Sequence, residues 1–252
     1  MLKNIVFEDE HILVVYKPAG IATQTARIDQ QDMVSELKNY LAKKPESKGR
    51  GEPYLGVVHR LDQPVSGILV FARTKQAAAE LSRQITNGRM QKYYYAVIYG
   101  APATDQGRLE DYLYKDAKTN QSLIVKESFP DAKKAILDYK LVKTLMVLGE
   151  NTKPEAYKAD FSSREVSLME IKLITGRHHQ IRAQMAHADM PLLGDNKYGN
   201  QKSRDLSQEA GCRNVALCAY KLAFDHPVTK KKIIFEHQPE GEIFFPFFTK
   251  GF

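Results

Sequence analysis

A carboxylate at position 62 closes the run His59-Arg60-Leu61-Asp62, after the apolar approach Val57-Val58 and before the turn formers Pro64, Ser66 and Gly67. An acid where a strand ends and a turn begins faces a cleft more naturally than a core, and is there either a turn-capping group or a catalyst. Two further residues carry chemistry: Arg182, beside Ile181 and Met185, and Tyr94, in a tyrosine-rich strand. Alone, each has a structural reading, Arg182 as an ion-pair residue and Tyr94 as core. Several other chemistries fail on spacing. Leu61 interrupts a kinase-type His-Arg-Asp, and no glycine-rich phosphate loop or Asp-Phe-Gly accompanies it. Ser66-Gly67 lacks the glycine that precedes the serine in a nucleophile elbow. His178, His179 and His187 lack an acidic partner at ligand spacing, and adjacent histidines on a helix point about 100° apart. No metal site is expected.

The elements that must hold these residues follow from periodicity and breakers. Ile5 to Val15 predicts two short strands around the turn Glu8-Asp9-Glu10, followed by the turn Lys17-Pro18-Ala19-Gly20. Met33, Val34, Leu37, Tyr40 and Leu41 recur at helical spacing, with Asp32 as N-cap. Lys43 to Pro53 is an expected exposed loop. Gly67 to Ala72 predicts a strand, and Lys75 to Asn87 a helix that Thr74 starts and Gly88 ends. Lys92 to Gly100 predicts a strand with Tyr94, Ala96 and Ile98 on one face. Ala135 to Val147 and Val166 to Ile174 read as strands joined by the polar segment Gly149 to Arg164. Thr175-Gly176-Arg177 is expected to open a helix through about Ala188, and Pro191 to Gly199 to be rich in turns, with strands again near the C-terminus. Strands outnumber helices without regular alternation, which predicts α+β rather than a doubly wound sheet.

Composition narrows the classes. The 252 residues, 43% hydrophobic and 27% charged, can bury a substantial core and are not those of a disordered chain. Apolar runs such as Ile12 to Val15 fall far short of the roughly 20 residues that cross a bilayer. Glu8, Asp9 and Glu10 interrupt any secretory signal. Cys212 and Cys218 form no disulfide framework, so the expected compartment is the cytoplasm. A formal charge of +7 is compatible with a polyanionic partner. Five basic residues against one acid between Lys38 and Arg50 form either a solvated loop or one that tracks phosphates.

Taken together, the motifs match a family. His59-Arg60-Leu61-Asp62-Gln63-Pro64-Val65-Ser66-Gly67 resembles the signature around the catalytic aspartate of the RluA-type pseudouridine synthases. Thr175-Gly176-Arg177-His178-His179-Gln180-Ile181-Arg182, continued by Pro191-Leu192-Leu193-Gly194-Asp195 and Lys197-Tyr198-Gly199, resembles that family's second long motif. Lys92-Tyr93-Tyr94-Tyr95-Ala96 is similar to its short strand motif, and Asp9-Glu10-His11 through Lys17-Pro18-Ala19-Gly20 to its usual start. Three positions depart from the pattern: Val65 for threonine, His178 for threonine or serine, and Gln184 for a frequent histidine.

The resemblance implies a pseudouridine synthase fold, α+β with a mixed, mainly antiparallel sheet, flanking helices and a central active-site cleft. It also implies one catalytic domain over residues 1–252 without an N-terminal accessory RNA-binding domain. The implied reaction turns uridine in ribosomal or transfer RNA into pseudouridine, with no cofactor. Asp62 is the implied catalytic carboxylate, Arg182 the cation that pairs with it, and Tyr94 a ring that stacks on uracil, its hydroxyl helping to remove the C5 proton. The target nucleotide must leave its stack, and Arg60 is placed to fill the vacancy. Lys92 and the loop residues Lys43, Lys44, Lys48 and Arg50 complete the expected RNA-binding set. A monomer with no obligatory protein partner is expected. His178, expected one turn before Arg182 on the same helix face, would on protonation weaken activity at mildly acidic pH. The competing readings are a non-catalytic RNA-binding protein or chaperone on the same scaffold and, more distantly, a nucleotide-processing hydrolase.

Overall fold

The computed structural model describes residues 4–25, 30–45, 51–147 and 164–249. In chain order the first elements are β1 Ile5–Glu8, β2 Ile12–Lys17, α1 Met33–Ala42, β3 Gly56–Val57, β4 Ser66–Ala72, α2 Lys75–Thr86 and β5 Gln91–Tyr99. There follow β6 Gln106–Asp116, β7 Gln121–Val125, β8 Lys133–Val147, β9 Arg164–Leu173, α3 Gln180–His187 and α4 Gln201–Glu209. The last are β10 Leu217–Asp225, β11 Lys232–Glu236 and the short α5 Phe245–Phe248. The fold class is α+β, with a mixed, mainly antiparallel sheet. The chain divides into two compact units, residues 1–94 with 218–240 and residues 95–217 with 241–252.

In the first unit, β2 and β4 are continuous apolar runs because both their faces are covered. They pair antiparallel, Ile12 opposite Ala72 and Val14 opposite Val70. Ile12, Val14, Ile68, Val70 and Ala72 pack with Ala77 and Leu81 of α2 and with Leu222 and Phe224 of β10. Helix α2 follows its sequence signals closely. Thr74 caps it by accepting from the Ala77 amide at 3.1 Å, and Gly88, at φ +68°, turns the chain away after it. Asp32 likewise caps α1, accepting from the Ser35 amide at 2.7 Å, while its second oxygen accepts from the Thr25 amide at 2.6 Å. Beside β4, strand β10 runs parallel with Ala219 opposite Gly67. There the backbones come so close that a Cβ on Gly67, at φ +129°, would lie 2.4 Å from the Ala219 amide nitrogen.

In the second unit, β9, β8, β6 and β7 form an antiparallel series in that order. Its inner face brings Leu113 and Ala135 against Ala183 of α3. A register shift between Leu141 and Lys143 interrupts the long β8–β9 ladder. The expected strands from Ala135 and Val166 are these two, but the segment between them, residues 148–163, lies outside the described residues.

Two helices differ from expectation, and β6 and β7 are strands beyond those expected. Helix α3 begins at Gln180 rather than near Thr175, because His179 adopts a left-handed conformation (φ 50°, ψ 24°) that no helix can propagate through. The amide side chain of Gln180 organises the entry instead, accepting from Thr175 Oγ1 at 2.8 Å and from the Arg177 amide at 2.9 Å. Helix α4 was not anticipated: its polar sequence buries only Ser203, Leu206 and Ser207, and its clearest signal is the Asn200 cap.

Gly67→Ala is expected to be among the most damaging single substitutions in the first unit. The new methyl meets backbone on both counts, position and φ, so we expect a loss of about 3 kcal/mol or more. Urea unfolding measures it, and a wild-type midpoint would refute the close approach.

Candidate active site

Asp62 is half-buried between β3 and β4, and the chain on either side of it is clamped. On one side Thr23 Oγ1 donates to the Leu61 carbonyl at 3.0 Å and accepts from the Leu61 amide at 3.2 Å. On the other, the Gln63 carbonyl accepts from the Gly20 amide at 2.8 Å and from Lys17 Nζ at 3.1 Å. Lys17 has no exposed surface. Its ammonium also donates to the carbonyls of Pro18 at 2.9 Å and Ile21 at 2.7 Å, so three acceptors meet three donors. Burial draws the Lys17 pKa down to about 8, while the Asp62 carboxylate acts the other way. Val65 completes the turn, its amide donating to the Asp62 carbonyl at 3.0 Å.

Tyr94 lies buried in the same unit, 6% exposed. Burial, with the nearby Asp62 carboxylate and Cys218 adding to it, raises its phenol pKa well above 10, so the hydroxyl stays protonated at neutral pH. His59 accepts from the Val70 amide through Nε2 at 3.2 Å, which places its own proton on Nδ1. Burial and the Lys92 charge lower its pKa to about 3. Arg60 is exposed, and with Gln24, Val57, Val58 and His59 it lines an open surface pocket.

Arg182, in the second unit, is 4% exposed and held by Asp195. Nε donates to Oδ2 at 2.7 Å and Nη2 to Oδ1 at 2.8 Å, a planar two-pronged pairing that only a guanidinium can make. Asp195 Oδ1 also accepts from the amides of Lys197 at 3.0 Å and Tyr198 at 3.1 Å. The Tyr198 ring lies 5.2 Å from the guanidinium carbon. Its hydroxyl accepts from the Ser122 amide at 2.6 Å and meets His179 Nδ1 at 2.9 Å. Gln184, fully buried, donates to Asp111 Oδ2 at 2.7 Å and accepts from Gln180 at 2.9 Å.

The first unit therefore gathers Asp62, Arg60, Tyr94 and Lys92, and the second holds Arg182. Of the basic loop, Lys43 ends α1 on the surface, whereas Lys44 is engaged by Glu8. Lys48 and Arg50 lie outside the described residues. His178 does not share a helix face with Arg182, because it precedes the left-handed His179. Its Nδ1 lies 3.0 Å from Ser122 Oγ and its ring stacks on His179 at 3.7 Å, so the acid-sensitivity expected from a shared face loses its basis. Spacing alone missed Lys17, Thr23, Asp195 and Tyr198 as supporting residues. Lys17, Asp195 and Tyr198 lie in the motif segments, but without a sign of what they support; Thr23 lies outside them. Among the described residues, no helix is long and apolar enough to cross a membrane, and no three His, Cys, Asp or Glu side chains group to hold a metal ion.

Comparison with known proteins follows the same residues. Residues 11–187 match the family model described as RNA pseudouridylate synthase. The chain is 33% identical over 236 residues to the ribosomal large subunit pseudouridine synthase D of Zymomonas mobilis, covering 92% of this chain and 68% of that protein. It is 31% identical over 227 residues to the tRNA pseudouridine synthase C of Yersinia pestis, covering 90% of this chain and 82% of that protein. The structure titled human RNA Pseudouridylate Synthase Domain Containing 4 shares the fold at a TM-score of 0.69 and 20% identity, over 97% of this chain and 91% of that one.

Two tests address the supports. Lys17→Met removes the side-chain donor from the carbonyls of Pro18 and Ile21 and one of the two donors to Gln63, and we expect a stability loss of about 2–4 kcal/mol by denaturant unfolding; an unchanged midpoint would show that the carbonyls find other donors. The second concerns His179, whose pKa is lowered to about 3 by burial and by the Arg182 charge. An unfolded chain protonates histidine near pH 6.5 and so binds more protons between these values. Stability should therefore fall as pH is lowered from 7 to 5, by about 2 kcal/mol more in wild type than in His179→Asn. Parallel pH curves for the two proteins would contradict the low value.

Proposed function

Because the chain belongs to the RNA pseudouridylate synthase family, we propose that it isomerises specific uridines of ribosomal or transfer RNA to pseudouridine, with Asp62 as the catalytic carboxylate. The reading rests above all on one observation: the family match spans residues 11–187 and contains Asp62, Tyr94 and Arg182 within their own motifs. The relatives reported above divide between ribosomal and transfer RNA by name, which leaves both RNA classes as substrates to try. The intact catalytic set favours a synthase over a binding protein that has lost its chemistry.

In this reaction the N1–C1′ bond breaks, the uracil turns, a C5–C1′ bond forms, the C5 proton leaves to solvent, and N1 takes up a proton, so the product is an isomer of the substrate. No electrons enter or leave, and no group is lost from the RNA. Asp62 serves by attacking C1′ or by promoting a glycal route through C2′; both need the ionised form, which desolvation opposes. The clamp on Leu61 and Gln63 supports that role by fixing the main chain on either side of the carboxylate. Arg182 is the opposing cation that the family resemblance assigns to Asp62. Tyr94 offers an aromatic face for the uracil, and its protonated hydroxyl is a hydrogen-bond donor in the free enzyme.

The nucleotide reaches these groups by leaving its stack, at a cost of a few kcal/mol. Arg60, exposed and two residues from Asp62, is proposed to enter the vacated space, where a planar guanidinium both stacks and binds phosphate. Lys92 and Lys43, with Lys44, Lys48 and Arg50, are proposed to hold flanking phosphates, Lys44 by exchanging its Glu8 partner for RNA. The whole of residues 1–252 is proposed to act as one catalytic domain, without an obligatory protein partner or cofactor and as a monomer in the cytoplasm.

Tritium release from 5-tritiated uridine in separate ribosomal and transfer RNA transcripts tests the proposal. Wild type should release tritium from one class. Asp62→Asn should release none while binding that RNA within about threefold of wild type. Release by Asp62→Asn at the wild-type rate would overturn the assignment, and binding without release by wild type would favour the non-catalytic reading.

A further inference from the structure

A two-pronged bond to Asp195 sets the distance of the Arg182 guanidinium and the direction of its Nε–Nη2 edge. It resists tilting of the guanidinium plane less well, because two nearly parallel hydrogen bonds form a hinge. The cation also lies over the Tyr198 ring, with Cζ 5.2 Å from the ring centroid, so the ring is a further contact that bears on the orientation of the guanidinium. That ring is itself fixed at both ends. Its backbone amide donates to Asp195 Oδ1, the same oxygen that accepts from Arg182 Nη2. At the far end its hydroxyl receives the Ser122 amide at 2.6 Å. A backbone N–H can only donate, so the hydroxyl's own proton is available for His179 Nδ1 at 2.9 Å, which puts the histidine proton on Nε2. His179 is buried and left-handed, and its ring packs edge-on against Tyr198 and face-on against His178. The unusual backbone of His179 thus delivers an acceptor to the tyrosine hydroxyl just before the helix that carries Arg182.

We propose that Tyr198 is a positioning residue for the reaction, whose ring, pinned by Ser122 and His179, sets the plane in which Arg182 presents its charge. This rests on the synthase reading for its kinetic consequence, but not for its structural one. A ring that merely filled space would affect folding and leave turnover per folded molecule unchanged. A ring that sets the guanidinium plane acts mainly on turnover, since a tilted charge stabilises the reacting centre less well while RNA contacts elsewhere persist.

The test pairs single-turnover kinetics with 15N NMR of the Arg182 side chain in Tyr198→Phe and Tyr198→Leu. For Tyr198→Phe we expect kcat about tenfold lower, KM for RNA within about twofold of wild type, and a retained ring-current shift at the Arg182 Nε–H, but faster exchange of that proton with water. For Tyr198→Leu we expect about a hundredfold loss in kcat, and the ring-current shift should disappear. Wild-type kcat and unaltered Arg182 signals in Tyr198→Phe would overturn the role of the pinned hydroxyl, and the same result in Tyr198→Leu the whole proposal. Should Tyr198→Leu fail to fold, Tyr198→Phe decides alone, because it keeps the ring and changes only what holds it. If wild type released no tritium, the synthase reading would fall, and the Arg182 signals would still decide whether Tyr198 positions the guanidinium.

Discussion

An ammonium group with no exposed surface is costly unless every one of its protons has an acceptor, and the loop that bears Asp62 is organised around that requirement. Lys17 reaches the carbonyls of Pro18, Ile21 and Gln63. Two of these lie in the turn after β2, and the third belongs to the residue after Asp62. The cation therefore ties the Lys-Pro-Ala-Gly turn to the aspartate loop, and Gly20 and Thr23 add bonds to Gln63 and Leu61 on either side. Just beyond the loop, β4 starts against β10 with no room for a side chain at Gly67. Loosening Lys17 would release the turn, the loop and the entry to β4 together.

The second unit solves a similar problem with a different cation. Arg182 is nearly as buried as Lys17, but its acceptor is a carboxylate rather than a set of carbonyls. Lysine suits the first place, where acceptors converge from three directions on one point. Arginine suits the second, where a planar fork meets a planar carboxylate and an aromatic face lies alongside. The difference in chemistry matches the difference in purpose. Lys17 grips backbone and fixes a loop, whereas Arg182 is oriented as a plane.

The architecture was legible where the signal was local. Thr74 and Gly88 bound α2 because a cap and a left-handed stop act on their own neighbours. Strands β2 and β4 were visible as apolar runs because both faces are buried. What could not be read depends on distant partners. Helix α3 was placed too early because His179 leaves helical space to reach Tyr198, nineteen residues on. Helix α4 has little apolar periodicity, and no periodic signal drew attention to β6 and β7. For the site, the candidate aspartate, tyrosine and arginine stood in motifs, as did Lys17, Asp195 and Tyr198, but what those three support did not show. Nothing about Lys17 in sequence says that its side chain folds back on three carbonyls, and nothing about Tyr198 says that it covers a guanidinium.

The same logic separates the two motif aspartates, Asp62 and Asp195. The Asp195 carboxylate accepts four bonds: two from Arg182 and one each from the amides of Lys197 and Tyr198. Oxygens so fully engaged are poorly placed to attack, since any attack must first give up those bonds. At Asp62 the clamp grips the backbone of its neighbours, through Thr23 on Leu61 and Lys17 on Gln63. One aspartate is held by its side chain and serves as an anchor. The other sits in a loop whose main chain is held on both sides of it, so the place of Asp62 is set by Leu61 and Gln63.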